Sequence, residues 1–438
     1  MDARPDSHTL TSRILAIALP AIASNVTTPL LGLVDAGITG HLGAVYLGAV
    51  AVGGSVFSTM YMLFGFLRMG TSGMTAQAEG RGNQSERDAI LWRALTVALG
   101  VGALLVALAP WLGVRILEFM DSGDATAIPA REYFMTVVWG APAVLLTYSL
   151  NGWFIGMQNT RIPLWGALLT NIINVSLSAI LVFVFDRGIY GVAIGTLVAQ
   201  WTGSLFLLLM AHARFRPSWS GWHAVLGRSH LGLFFKVNSD IFLRTLCLCA
   251  VTLWFTHAGA ASGVDTLGAN ALLLQLFLLF SYFMDGFAYA GEALGGNFHG
   301  AGDAAALRRL IRVLMWIGVI AATVTSAVYA LGGEWILRLL TDSESVRSTA
   351  LTYLPWAAAI PLCGFAAFVW DGILIGLTRT RIMLGAMAVA VPMFFAVYLS
   401  TRSWMGNHGL WLAFDVYLLL RGAVSALLYR KLRSDNNR

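Results

Sequence analysis

Along the chain, apolar residues run in blocks of twenty or more, broken by short stretches where Arg, Asp, Gly and Pro collect. Blocks lying within 11–39, 45–77, 91–113, 130–157, 162–185, 188–211, 231–257, 265–293, 310–331, 347–376, 381–400 and 408–431 are long enough to cross a hydrocarbon core of about 30 Å as helices. Polar and apolar residues do not alternate within them at strand spacing, which argues against a barrel. Helices are then the structure that satisfies the backbone in lipid. The pattern predicts an all-α integral membrane protein with about twelve transmembrane helices.

The blocks also repeat. NGWFIGMQNTRIPL (151–164) returns as DGILIGLTRTRIML (371–384), an offset of 220 positions. Gly152/Gly372, Ile155/Ile375, Gly156/Gly376, Thr160/Thr380, Arg161/Arg381, Ile162/Ile382 and Leu164/Leu384 coincide. Leu47-Gly48-Ala49 returns as Leu267-Gly268-Ala269, and Gly80-Arg81-Gly82-Asn83 as Gly300-Ala301-Gly302-Asp303, at the same offset. Each half holds about six spans, an even number, so both halves face the same way in a parallel internal repeat of the kind rocking transporters use. The expected domains are a six-helix lobe (1–210), a cytoplasmic linker (211–230) and a second six-helix lobe (231–438) ending in a short basic tail. The linker, AHARFRPSWSGWHAVLGRSH, is basic and aromatic without a long apolar run. Glycines at i and i+4 in the repeated stretch offer a bare strip on which another helix can approach closely. That strip sets lobe geometry, and leaves Asn151 and Asp371, which open the two copies, as lesser functional candidates.

Composition agrees: 58% of residues are hydrophobic and 11% charged, against roughly 25% charged in soluble domains. A soluble core cannot hide that much apolar side chain. With both termini placed in the cytoplasm, Lys and Arg favour that side about threefold. The net charge of +6 is then explained by a basic face meeting anionic lipid, and no nucleic-acid partner is implied. The opening MDARPDSHTLTSRILAIALP lacks a small-residue cleavage site, so the first span is expected to be retained. Cys247, Cys249 and Cys363 fall in apolar spans and read as small buried hydrophobes, with no disulfide framework or metal site implied. No HExxH, paired CxxC, phosphate-cradling loop or nucleophile–His arrangement stands in the sequence, and GRGNQ lacks GxxxxGK[ST]. An enzyme, and ATP hydrolysis with it, is therefore not expected.

Candidate chemistry lies where ionisable groups interrupt apolar spans. In LLGLVDAGITGHLG, Asp35 sits deep in the first span. A carboxylate at mid-span costs at least ~2.5–3.5 kcal/mol, so it must face a cavity or a partner, where it can exchange a proton or a cation. The alternative is a carboxyl buried for packing against backbone and hydroxyl donors. In the fifth span, TNIINVSLSAI places Asn171, Asn174 and Ser178 on one face, and the sixth adds Thr196 and Gln200 at i and i+4. These either line one polar cavity with Asp35 and Asn151 or serve as hydrogen-bonded glue between helices. In the second half, KVNSDIFLRTLCL puts Asp240 and Arg244 at i and i+4, the spacing of a neutralising pair within one helix. Asp285 and Glu292, seven apart, share a face of the eighth span, and Arg68 in FGFLRMGTSG is the matching oddity of the first half. Arg68 either neutralises an acid or contacts a transported molecule.

With these residues in view, the chain resembles the MATE (multidrug and toxic compound extrusion) transporters, of the DinF-type branch. The resemblance is carried by ALPAIASN, LVDAGITGHLG, NGWFIGMQNTRIPL, VNSDIFLRTL, MDGFAYAGEALGG and DGILIGLTRTRIM, spread from about residue 13 to 430. It implies a multi-pass efflux antiporter of the bacterial cytoplasmic (inner) membrane, acting as a monomer without a cofactor. Such a protein exports amphipathic, often cationic compounds by alternating access against entry of H⁺ or Na⁺. The family's first-helix acid falls on Asp35, fifteen residues after the helix proline Pro20; its fifth-helix Asn falls on Asn174 and its sixth-helix Thr on Thr196. Many relatives carry an Asp four residues after that Asn, where this chain has Ser178. The departure weakens a two-carboxylate cation site, shifts weight to Asp35 and favours H⁺ over Na⁺. Pro20 and Pro29 would let the first helix bend. A lipid-linked precursor flippase is the alternative function within similar architecture, with Arg68 and Arg244 as its support.

Overall fold

The computed structural model describes residues 7–119, 124–219, 225 and 227–435. The first half contains α1 (Ser7–Leu42), α2 (Ala44–Leu63), α3 (Phe66–Gly80), α4 (Gln84–Phe119), α5 (Asp124–Val137), α6 (Ala141–Gly156), α7 (Arg161–Ala179) and α8 (Gly188–Phe215). The second contains α9 (Arg228–Ala261), α10 (Val264–Gly300), α11 (Ala304–Leu340), α12 (Glu344–Gly376), α13 (Thr380–Met405) and α14 (Asn407–Asp435). No strand occurs among the described residues. Among the described residues, twelve stretches are long and apolar enough to cross a membrane. The second consists of α2 and α3, interrupted at Phe64 and Gly65, and the fourth of α5 and α6, joined by a 3-10 turn over Val138–Gly140. Helix α7 closes in a π-helical turn, Ile180–Val184.

The 220-residue offset seen in sequence is also an offset in backbone geometry. Left-handed or otherwise positive-φ residues end helices at Gly43, Gly82, Gln158 and Asp186, and again at Gly263, Gly302, Thr378 and Gly406. Gly43 (φ 116°) and Gly263 (φ 110°) occupy a region open in practice to glycine alone. After α6, the amides of Gln158 and Asn159 donate to Ile155 O and Phe154 O at 2.8 and 2.9 Å. After α12, Thr378 and Arg379 donate to Ile375 O and Leu374 O, both at 2.9 Å. Each pair satisfies carbonyls that a helix end would otherwise leave open.

The glycine strip expected from the repeated stretch is used. A Cβ on Gly152 would stand 2.3 Å from Arg68 O, and one on Gly372 2.3 Å from Ala288 O. For Gly156 the nearest backbone atom is Ser72 O at 2.7 Å, beside Thr75 Cβ at 2.6 Å, and for Gly376 it is Glu292 O at 2.5 Å. Helix α6 therefore lies backbone-close on α3, and α12 lies the same way on α10. The opposing residues, Arg68/Ala288 and Ser72/Glu292, are again 220 apart.

The chain forms two compact units, Leu19–Asn238 and Met1–Ala18 with Ser239–Arg438. The two cut points, within α1 and within α9, also differ by 220. In the first unit Phe234 is buried with Leu67, Ala98 and Leu145. In the second, the Arg13 guanidinium stands 5.4 Å over the Phe298 ring. Part of the expected linker is tied down on α4. Ser218 donates from its amide and hydroxyl to Asp88 Oδ2 at 2.9 and 3.1 Å, and Arg93 Nε donates to Val225 O at 2.9 Å. Residues 220–224 and 226 of that linker lie outside the described residues.

Candidate functional site

Asp35 stands in the last two turns of α1 and is 7% exposed. Its helix neighbours Val34 and Ile38 pack into an apolar cluster with Phe57, Tyr133, Val192 and Ala193. Three other helices bring polar groups to this point. Asn174 of α7 is fully buried beside the carboxyl. Its Nδ2 donates to Thr196 Oγ1 of α8 at 2.9 Å, and that hydroxyl donates to Val192 O, one turn back, at 3.0 Å. Tyr133 of α5, also buried, faces both Asp35 and Thr196. No ion pair reaches Asp35 among the described residues, and Asp35 Oδ1 and Asn174 Oδ1 are buried acceptors without a donor.

The other sequence candidates divide around this centre. Ser178 packs against Gly195 and the Gln200 amide against Gly140, and the oxygens of both are buried without a partner. Asn171 is glue: its Nδ2 donates to Thr27 O of α1 at 3.0 Å. Asn151 has its Oδ1 buried and unpartnered, while half-buried Arg68 lies beside Tyr148. Helix α1 continues through Pro20 and Pro29 without interruption, and the side chain of Pro29 lies outside the described residues.

The second half is built on charge. Asp371 on α12 accepts from Arg421 Nη2 of α14 at 2.8 Å and from Arg244 Nη2 of α9. The two arginine side chains are 7% and 6% exposed for Arg244 and Arg421. The Asp240–Arg244 pair expected from spacing is thus corrected. Arg244 turns to Asp371, and Asp240 accepts from Thr380 Oγ1 at 2.9 Å. Spacing along one helix sees only that helix, whereas a long guanidinium with a rigid fork selects a carboxylate already aligned by a second arginine. Glu292 is buried and Asp285 half-buried on α10, and both are engaged in interactions of their own.

Sequence reasoning missed three participants. Asp415, in LWLAFDVYLLLRG on α14, is 5% exposed, with Oδ1 unpartnered and Cys363 for a neighbour. It carries the same signal that singled out Asp35, an acid inside an apolar run. Arg421 follows two turns later in that run. Tyr133 had no such signal, since a tyrosine near a span end is ordinary.

The MatE family model matches residues 20–180 and 240–398, two segments that start 220 apart. DNA damage-inducible protein F of Escherichia coli (strain K12) is 38% identical over 95% of this chain and 91% of its own length. Probable multidrug resistance protein NorM of Rhizobium meliloti is 26% identical over 96% of this chain and 92% of its own. Among solved structures, a MATE protein in the bent conformation superposes with a TM-score of 0.89 at 18% identity, covering 97% of this chain and 96% of that one. An outward-facing multidrug resistance MATE family transporter gives 0.89 at 17% identity, over 98% and 97%. With its paired halves, twelve apolar spans and a family match in each half, the chain belongs to the MatE family.

Proposed function

We propose that this protein is a secondary active efflux transporter for amphipathic, often cationic compounds, working by alternating access and driven by protons entering through Asp35. Efflux is supported by the family and by relatives described as multidrug resistance proteins. The observation that carries the proton is the polar set around Asp35: buried, free of any ion pair among the described residues, and surrounded by groups that suit either form of the acid. The Asn174 amide can donate to a carboxylate or accept from a carboxylic acid. A proton on Asp35 also supplies the donor that the two unmet acceptors lack.

The driving force is adequate. One charge crossing 100 mV supplies about 2.3 kcal/mol, and one pH unit adds about 1.4. Sodium is the less favoured ion, because Ser178 stands where many relatives supply a second carboxylate, and Na⁺ prefers several oxygen ligands. The setting is a bacterial inner membrane with both termini cytoplasmic, in line with the basic-residue bias. Purified protein in proteoliposomes with an imposed pH gradient should expel a cationic dye, and Asp35→Asn should reduce that efflux to the level of empty vesicles. Proton-driven efflux retained by the Asn variant would remove Asp35 from its role. Efflux that follows an imposed Na⁺ gradient and ignores pH would replace the coupling ion.

A further inference from the structure

We infer that the second half holds a binding site for the anionic headgroup of an amphipathic molecule, a carboxylate or a phosphate monoester, built from Arg244 and Arg421 with Asp371 between them. This site is separate from Asp35 and does not depend on what ion drives transport.

The charges do not balance. The ion pairs of both guanidiniums run to the one Asp371 carboxylate, and one carboxylate neutralises one arginine. In ion-pair contact one guanidinium is therefore left uncompensated within membrane-spanning helices, where an isolated arginine is costly. Part of that cost is met by the Tyr417 ring, which lies 5.5 Å from the Arg421 guanidinium carbon. Among the described residues no other acid forms an ion pair with either guanidinium. Asp240, four residues before Arg244 on α9, keeps its charge but accepts from the neutral Thr380 hydroxyl, while Arg244 turns to Asp371. Asp415 sits by Cys363, eight residues and about 12 Å along α12 from Asp371. Asp285 and Glu292 on α10 make interactions of their own.

Nor is the triad needed to build a lobe of this kind. At the matching positions the first half carries Ser24, Asn151 and Trp201, all uncharged, yet makes the same backbone-close contact at Gly152 that the second makes at Gly372. The arginines are therefore an addition to the shared scaffold. Each guanidinium offers five N–H donors and gives one nitrogen to Asp371; Arg421 also bonds Tyr417, and the N–H groups left over suit the oxygens of an anionic group. Tyr417, whose ring Arg421 faces, packs with Met387 and Phe414, and that apolar surface suits an adjoining hydrocarbon chain.

The test is the thermal unfolding midpoint of the purified full chain in neutral detergent at constant ionic strength, titrated with octanoate, octyl phosphate, octylammonium or inorganic phosphate. The two amphipathic anions should stabilise the protein saturably; octylammonium should not, and inorganic phosphate should do so far less. Arg421→Gln leaves a balanced Arg244–Asp371 pair, so it should fold, and should weaken the anion's apparent affinity about tenfold or more. In Asp371→Asn the same anions should stabilise more than in the parent. Repeating the titration in phosphatidylcholine nanodiscs with and without phosphatidic acid, a lipid whose headgroup is a phosphate monoester, separates sources: suppression by phosphatidic acid marks a lipid headgroup as occupant, and no suppression marks a soluble amphiphile. Equal stabilisation by octylammonium, or an unchanged anion response in Arg421→Gln, would overturn the site.

Discussion

The two halves share a backbone and differ in what they do with an acid. In the first, Asp35 is met by the Asn174 amide, itself held by the Thr196 hydroxyl, and by the Tyr133 phenol, groups able to serve more than one protonation state. In the second, Asp371 is met by two guanidiniums, which can only donate and so suit only the carboxylate. One arrangement permits a change of charge and the other fixes it. The difference teaches that a duplicated scaffold places residues without dictating their chemistry: Asn151 and Asp371 occupy the same position, and their neighbours decide what each is for.

The largest expected effect is on transport. Asp35→Asn should abolish gradient-driven dye efflux in proteoliposomes while leaving the unfolding midpoint equal to the parent's or higher, since a buried acid becomes an amide. Asp371→Asn should do the reverse to stability. It leaves two arginines uncompensated, and breaking a buried pair costs about 3–5 kcal/mol, seen as a large drop in midpoint in detergent without added anion. If both variants lose stability alike, the contrast between the halves fails.

Smaller effects probe what the halves share. Gly152→Ala and Gly372→Ala should each destabilise by about 1–3 kcal/mol, because a methyl must push apart two helix backbones; thermal midpoints of the two should fall together. Thr196→Val keeps the shape but removes the acceptor of the Asn174 amide, and should slow efflux with a stability loss near 1 kcal/mol. Gly43→Ala and Gly263→Ala should cost about 1–3 kcal/mol at most through backbone strain, again equally in both halves.

Much of this was legible in the sequence because lipid makes the rules strict. The spans followed from length and apolarity, and Asp35 from the cost of an acid within them. Asn174 and Thr196 were placed by helical spacing and by the resemblance. Other features were not legible, for physical reasons. The partner of Arg244 lies on a different helix, 127 residues away, which periodicity cannot see. The interruption at Phe64–Gly65 has no counterpart in unbroken α10, where Asp285 stands in the place of Gly65. Glycine within a membrane helix is common, so it does not announce a break.

The matching positive-φ turns carry one more lesson, about ancestry and engineering. What was copied when the gene doubled was a path for the main chain, kept even where Gln158 and Thr378 sit in a conformation that glycine would adopt at less cost. Side chains were then free to drift, as Gly195 and Asp415 at one shared position illustrate. Residues can accordingly be transplanted from one half into the numbered equivalent of the other, altering charge while leaving the helices where they are.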